Sequence, residues 1–496
     1  MLVSAAVLAA LLVVVTARFV SAYLRFRRVE LALPGPRTWP IIGNTLDVLF
    51  LKNPVEIFFK LWGGRKEFFR AYSSLNLLVA LATDPVDLQA LVTSKYFLDK
   101  ARLAYSFVRP VVGNGLIVLG GAVWRAHRRA LEPAFRSRVL ETFMSELNKQ
   151  SHHYLRRVVP GVDVDPLDNI WRRSCWSFMT NMLTKNTDPH YEETVHKAKS
   201  CIHDGTGEFV TRIKNPLLWL GFIYNATATA KKARCSRHDF QGAIRDIITR
   251  KRRELQERAS WNEGDPSGTK SVLDILLADK EKSHQMTDEE ILGEVQTFFF
   301  AAVDTTANTL ATLVKILSLR ADIQELLHAE VTSVFDRTRT EVTLEDLRRM
   351  EYTERVIKET MRLYPAVPIV GRDVNEDTEF AGYELPSGTS VAINIFGAHR
   401  DPDHWPDPLV FDPERFLPER SAGRHPCAYI PFSAGPRICI GARYAMMDMK
   451  VFVAHLVRAF RIDPADDGIK DVSNFPLDFK LTIGVAGAKV IFSPRT

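Results

Sequence analysis

From Thr287 the chain reads TDEEILGEVQTFFFAAVDTTANTLATLVKILSLR, and nothing in it stops a helix for about thirty residues. Thr287 followed by Glu290 is a capping-box start, in which hydroxyl and carboxylate each accept a backbone N–H that the first turn leaves unpaired. A helix of that length spans ~45 Å. Most of its faces are apolar, so it is expected to cross the core of a large body rather than lie on a surface. Helical periodicity also dominates from residue 85 to 365, in DPVDLQALVTSKYF, GAVWRAHRRALEPAF, DFQGAIRDIITRKRRELQERA and EYTERVIKETMRLY, the last stopped by Pro365. Short alternating pieces follow, DTEFAGYELP, TSVAINIF, KLTIGV and AKVIFS, and read as strands with hairpin-type turns. The expected fold class is mainly α: an α+β helical domain with small β-sheets towards the C-terminus.

No Gly/Ser linker or fixed-period repeat divides the 496 residues, so residues 45–496 read as one body. WNEGDPSGTK (261–270) reads as a polar loop inside it. The N-terminus is different. LVSAAVLAALLVVVTA (2–17) is an apolar run that resumes after Arg18 as FVSAYL and meets the basic RFRR at 25–28. Extended to Leu24 it reaches the ~20 residues that a bilayer requires. The charge follows the apolar run and no small-x-small site precedes it, which disfavours a cleaved signal peptide. Residues 1–28 therefore read as a membrane anchor with a basic stop, and 29–44, with LPGPRTWPIIGN, as a stiff proline-rich hinge. Basic residues beside the span keep the following domain on the cytosolic side. Net charge is only +6, and the basic runs at 124–138 and 250–255 read as solvated helix faces, so no nucleic-acid partner is implied.

Five cysteines, with no Cys-x-x-Cys pair, point to a reducing compartment. One stands out. In PFSAGPRICIG (431–441), Cys439 follows a Gly435-Pro436 turn and precedes the helical run opened by Gly441. A cysteine at the positive end of a helix is expected to favour thiolate. Elsewhere, Asp304 and Thr305 form a polar pair in the apolar long helix, awkward unless they line a wet cavity or find hydrogen-bond partners. Trp124 and Arg128 are four apart on one helical face, and Glu359 and Arg362 three apart on another.

The pattern Phe432-x-x-Gly435-x-Arg437-x-Cys439-x-Gly441 closely resembles the haem-binding loop of the cytochrome P450 family. The resemblance implies that fold, with haem (iron protoporphyrin IX) ligated by the Cys439 thiolate, which pushes electron density onto iron and favours O–O cleavage. It implies that Phe432 packs against the ligand side of the macrocycle and that Gly435 and Gly441 let backbone N–H groups approach the sulfur. Arg437, Trp124, Arg128 and Arg372 match the family's haem-propionate contacts. Asp304 and Thr305, in AAVDTT, match the pair that delivers protons during oxygen activation. Glu359 and Arg362 with Arg415, from FDPERF, match a buried charge network that fixes the cysteine loop.

Taken whole, the resemblance covers residues 33–496. It implies a haem-thiolate monooxygenase that inserts one atom of dioxygen into a lipophilic small molecule: fatty acid, steroid or terpenoid, or xenobiotic. Electrons would come from NADPH through NADPH–cytochrome reductase, docked on a basic proximal face to which Lys450, Arg443 and the 124–138 helix contribute. The expected location is the endoplasmic reticulum membrane, with the catalytic domain facing the cytosol. The alternative is a haem-thiolate peroxide isomerase, which needs no NADPH; the retained Asp304 and Thr305 speak against it. The stretch from KARLAYSFVRP to FLPER resembles family four of the superfamily, microsomal type, known for fatty-acid hydroxylation. Many members of that branch esterify haem to a glutamate at the position of Ala301. Here the haem is expected to be held non-covalently apart from the thiolate–iron bond. Asp304 is expected on the face of Ala301, ~4.5 Å further along the helix. Ala302 stands where the family usually has glycine. Pocket walls are expected from residues 103–120, 210–225, 298–306, 367–372 and 475–480, all rich in apolar residues.

Overall fold

The computed structural model describes residues 2–40, 42–49, 66–74, 77–184, 190–260, 271–278, 286–335 and 339–495. Helix α1 (Leu2–Ala32) is followed by strands β1 (Phe69–Ser74) and β2 (Leu77–Ala82) and by helices α2 (Pro85–Thr93), α3 (Arg102–Val112) and α4 (Gly121–Leu131). After further helices come the long α5 (Asp288–Leu319), α6 (Glu351–Leu363), strands β3 (Ile369–Asp373) and β4 (Ser390–Asn394), α7 (Ala442–Ala459) and the hairpin β5 (Leu477–Phe479) and β6 (Ile483–Val485). The mainly α fold class expected from the sequence is the one observed. The loop WNEGDPSGTK falls outside the described residues.

The capping box at the start of α5 is complete: Thr287 Oγ1 accepts the Glu290 N–H at 3.3 Å, and Glu290 Oε2 accepts the Thr287 N–H at 2.8 Å. Its side chains are buried along most of the helix from Ile291 to Ser318, with a break at Phe298, Ala301, Ala302, Asp304 and Thr305. A helix buried on nearly all sides has to be enclosed by other elements, and the main core cluster gathers on it. Phe298, Ala301, Ala302 and Thr305 of this break line the functional cavity.

The largest sheet has the order β1-β2-β4-β3, with β2 and β4 parallel and the outer pairs antiparallel. Its first two strands were not expected from the sequence. LLVALA is an unbroken apolar run rather than an alternating one, because β2 is an inner strand with partners on both edges. The strands read at the C-terminal side are present, including Thr378–Phe380 paired with Tyr383–Leu385 and the β5–β6 hairpin.

Helix α1 does not stop at RFRR but continues to Ala32. Its last turns engage the body: Arg25 pairs with Asp377, and Phe26 and Val29 pack on the second core cluster. The Arg70 guanidinium then donates to the carbonyls of Glu30, Leu33 and Pro36. The segment read as a hinge is thus tied to the sheet over its first half. Among the described residues no helix is long and apolar enough to cross a membrane. The run read as an anchor includes residues 1–6, 8 and 9, whose side chains lie outside that description.

Candidate active site

The loop carrying Cys439 is set by backbone contacts before any side chain is considered. The Cys439 N–H donates to the Phe432 carbonyl at 3.0 Å, and a turn of 3-10 helix covers Gly435–Arg437. Gly435 has φ +69°, and a Cβ there would lie 2.1 Å from the Val92 carbonyl oxygen of α2. Only glycine fits both the conformation and the approach. The loop entrance is held by His399, whose Nε2 accepts the Ile430 N–H at 2.9 Å. Burial, and then the Arg362 and Arg400 charges, lower the His399 pKa to about 3, which keeps the ring neutral and able to accept.

Cys439 opens into a cavity of about 400 Å³. Phe432, Arg437 and Gly441 of the same loop line it too, as do Ala301, Ala302 and Thr305 of α5. The expected preference for thiolate is not the net result in the protein alone. Burial raises the Cys439 pKa, while the Gly441 N–H at the head of α7 and the Arg128 and Lys100 charges lower it. The helix-end effect is present, and desolvation opposes it. Gly441 itself has φ −89°, and a Cβ on it would meet the sulfur at an ordinary 4.0 Å. Its N–H, rather than a missing side chain, is what serves Cys439.

One rim of the cavity is cationic. Lys100, Arg128 and Arg437 line it together with Trp124, over whose ring the Arg437 guanidinium sits at 3.9 Å. Arg437 donates to the carbonyls of Leu98 at 3.0 Å and Leu119 at 2.8 Å, with Asp99 3.6 Å away. Burial, followed by the Arg372 charge, lowers its pKa to about 9. Lys100 is held well below the usual lysine value by burial and by the Arg372 and Arg437 charges; its hydrogen bond goes to the Tyr105 hydroxyl at 3.4 Å. Arg128 is engaged with Glu132 at 3.0 Å and with the Ile438 carbonyl at 3.0 Å, tying α4 to the cysteine loop.

Arg372 departs from expectation in detail. It is 2 % exposed and stands behind Lys100, donating to the Gly371 carbonyl at 3.1 Å, and it is not among the lining residues. Lys100, which sequence reasoning missed, takes the lining position. It stands between Asp99 and Arg102 at the start of a helix, indistinguishable in sequence from a surface charge.

Thr305 lines the cavity, with its hydroxyl donating to the Ala301 carbonyl at 2.6 Å. Asp304 does not line it. Thr297, Phe298, Phe300, Ala301, Ala302, Thr305, Thr306 and Thr309 of α5 line the cavity, and Asp304 is not among them although its neighbours along the helix are. Its carboxyl meets the Thr482 hydroxyl between β5 and β6, and burial raises its pKa.

Other walls draw on residues within 104–117, 366–371 and 479–482 and on Thr297, Phe298 and Phe300 of α5. The expected wall 210–225 is absent from the lining; Phe209 alone represents that region. The reason is packing: the Arg212 guanidinium sits between the Phe107 and Tyr224 rings, and Trp219 packs on Phe107, all outside the cavity. Phe178 and Met182, which read as ordinary core, line the cavity instead.

A thiol facing apolar walls, beside three cations that share few carboxylates, fits a flat apolar group bearing anionic substituents and a metal that takes sulfur. Haem meets both requirements, with Cys439 for the iron and Lys100, Arg128, Arg437 and Trp124 for the propionates.

The comparisons agree. The family model described as Cytochrome P450 matches residues 33–491. The chain is 34% identical over 449 residues to "Cytochrome P450 4V2" of Rattus norvegicus, covering 86% of this chain and 83% of that protein. It is 31% identical to "Cytochrome P450 4c21" of Blattella germanica, covering 88% of each. The solved structure "Crystal structure of cytochrome P450DA heme domain" superposes with a TM-score of 0.77 at 22% identity, over 94% of this chain and 98% of that one, a likeness of fold.

Proposed function

The chain belongs to the cytochrome P450 family, with haem bound through a cysteine thiolate, and from that premise we propose that it hydroxylates a lipophilic small molecule with electrons passed from NADPH by NADPH–cytochrome reductase. The carrying observation is that Cys439 and Thr305, from distant parts of the chain, line one apolar cavity. Haem bound there supplies reductive activation of dioxygen.

The chain's own residues do the rest. Cys439 anchors the iron, and the Gly441 N–H moderates the charge on its sulfur. Lys100, Arg128 and Arg437 orient the propionate edge. Phe178, Phe209, Phe298 and Phe479 exclude water from the opposite side and bind substrate by apolar contact. Thr305 and, behind it, Asp304 supply polar groups for proton delivery.

An electron donor with an acidic face would meet exposed Arg125, Arg129 and Arg443. Lys450 does not join them: it is buried and turned to Glu354 at 3.1 Å. Membrane attachment is supported by the outward apolar side chains of α1, among them Val7, Leu12, Val13 and Phe19, which water would leave unpaired with any apolar surface. With the catalytic domain cytosolic, the endoplasmic reticulum is the proposed site.

The test uses full-length protein in phospholipid vesicles with NADPH and reductase, screened against lipid and xenobiotic panels for Soret shifts. Product carrying one oxygen from labelled dioxygen, formed only with NADPH, is the expected result. Product formed from an organic hydroperoxide without NADPH, and none with it, would replace this reading by the isomerase.

The haem itself should be extractable. Ala301 carries no oxygen, and no aspartate or glutamate is among the cavity-lining residues described. Acid and organic solvent should release haem of unmodified mass. Haem remaining on the denatured chain would contradict this.

A further inference from the structure

Asp304 and Thr305 are neighbours on α5, yet only Thr305 faces the cavity. The Asp304 carboxyl is turned towards the connection between β5 and β6, where the Thr482 hydroxyl donates to its Oδ2. Thr482 is 4 % exposed, and it does line the cavity. Asn308, one turn along α5, holds the arrangement from the other side. Its Nδ2 donates to the Asp304 backbone carbonyl at 2.9 Å and to Thr482 Oγ1 at 3.1 Å. A hydroxyl has one hydrogen. Asn308 occupies one lone pair of Thr482 Oγ1, so the hydroxyl donates to Asp304 when that carboxyl is ionised and, when it is protonated, accepts its hydrogen and is free to donate into the cavity. Gly484 leaves the space for this, since a Cβ there would lie 2.3 Å from Asn308 Oδ1.

We infer that Thr482 is the hydrogen-bond link between Asp304 and the cavity, and hence a positioning residue for proton delivery that belongs to the substrate-contacting hairpin rather than to α5. The inference rests on the monooxygenase reading. Thr305 does not provide this link, because its hydroxyl is bonded to the Ala301 carbonyl and not to the Asp304 carboxyl. When a proton passes, the Thr482 hydroxyl gives its hydrogen to an acceptor on the cavity side and takes the hydrogen of the protonated Asp304 carboxyl. Thr482 ends as it began, and the carboxylate left behind takes a proton from solvent. Burial raises the Asp304 pKa, against the opposing pull of Thr482 and Lys480, which favours the protonated form that such a transfer starts from. Phe479 and Leu481 of the same hairpin also line the cavity, so whatever fills it touches the element that holds the link.

Thr482→Val keeps the shape and removes the hydroxyl; Thr482→Ser keeps the hydroxyl. With dodecanoic acid as probe, NADPH and reductase, the ratio of peroxide to product should rise about tenfold in Thr482→Val, the effect of losing one hydrogen bond to a charged group. Thr482→Ser should stay near wild type, and the Soret shift induced by the probe should have a similar midpoint in all three proteins. A second readout needs no turnover. In protein labelled with ¹³C at aspartate Cγ, the resonance that Asp304→Asn removes should move in Thr482→Val and return in Thr482→Ser. An unmoved resonance, or a serine variant as uncoupled as the valine one, would overturn the link. Failure of the monooxygenase reading would show separately, as loss of NADPH-dependent product in the wild type with the resonance shift intact.

Discussion

Glu359→Gln should destabilise the haem-bound protein by about 3–5 kcal/mol, the cost of leaving a buried charge without its partner. Glu359 and Arg362 are both fully buried, and the guanidinium meets the carboxylate through two bonds of 2.7 and 2.9 Å. The Asp412 N–H donates to the same carboxylate at 2.9 Å, and Arg415 Nε approaches to 3.5 Å. Every one of these contacts is a donor, so the carboxylate is the form that the site requires. Arg362 goes on to the carbonyls of His399 and Pro408, each at 2.8 Å, and Arg415 to that of Asp407 at 2.7 Å. His399 in turn holds Ile430 at the entrance of the cysteine loop. Glutamine would keep the shape, lose the charge and leave two buried arginines facing each other. With total stability of the order of 5–15 kcal/mol, a loss of that size is most of the margin. Urea-induced loss of the Soret band reads it: the midpoint should fall far below wild type, with haem released early. A midpoint within experimental error of wild type would show that the network is dispensable.

That network shows what could be read in the sequence and what could not. Glu359 and Arg362 announce their contact by helical spacing alone, whereas Arg415 enters only through the family pattern, because its neighbour Asp412 lies 53 positions beyond the Glu359 it meets. The capping box at Thr287 was legible because both partners lie within one turn. Strand β2 was not, since an inner strand lacks the alternation that marks a half-exposed one. Within the cavity, Cys439, Thr305 and Arg437 stand where the pattern put them, because the loop and α5 carry them locally. Lys100 and Thr482 were invisible for the opposite reason. Each is an ordinary residue by type, and only the pairing of Lys100 with Arg372 across two distant segments, or of Thr482 with Asp304 and Asn308, gives it a part. Asp304 shows what helical spacing leaves out: its carboxyl meets Thr482, which no local pattern in the sequence connects to it.

The second large effect is expected at Cys439. Four other cysteines exist, and none of them lines the cavity: Cys175 and Cys201 are buried in the main core, Cys427 in the second, and Cys235 is exposed on the outer surface. The neighbours of Cys439 in the loop, Ile438 and Ile440, offer only hydrocarbon. Cys439→Ala should therefore remove thiolate ligation completely while leaving the Lys100, Arg128 and Arg437 rim intact, so that some haem can still bind weakly. The spectrum of the dithionite-reduced protein under carbon monoxide separates these possibilities, because only a thiolate opposite the gas gives the strongly red-shifted Soret band. The wild type should show that band and Cys439→Ala should lack it. A wild type without the band, or a variant that keeps it, would contradict the assignment of Cys439 as the haem ligand.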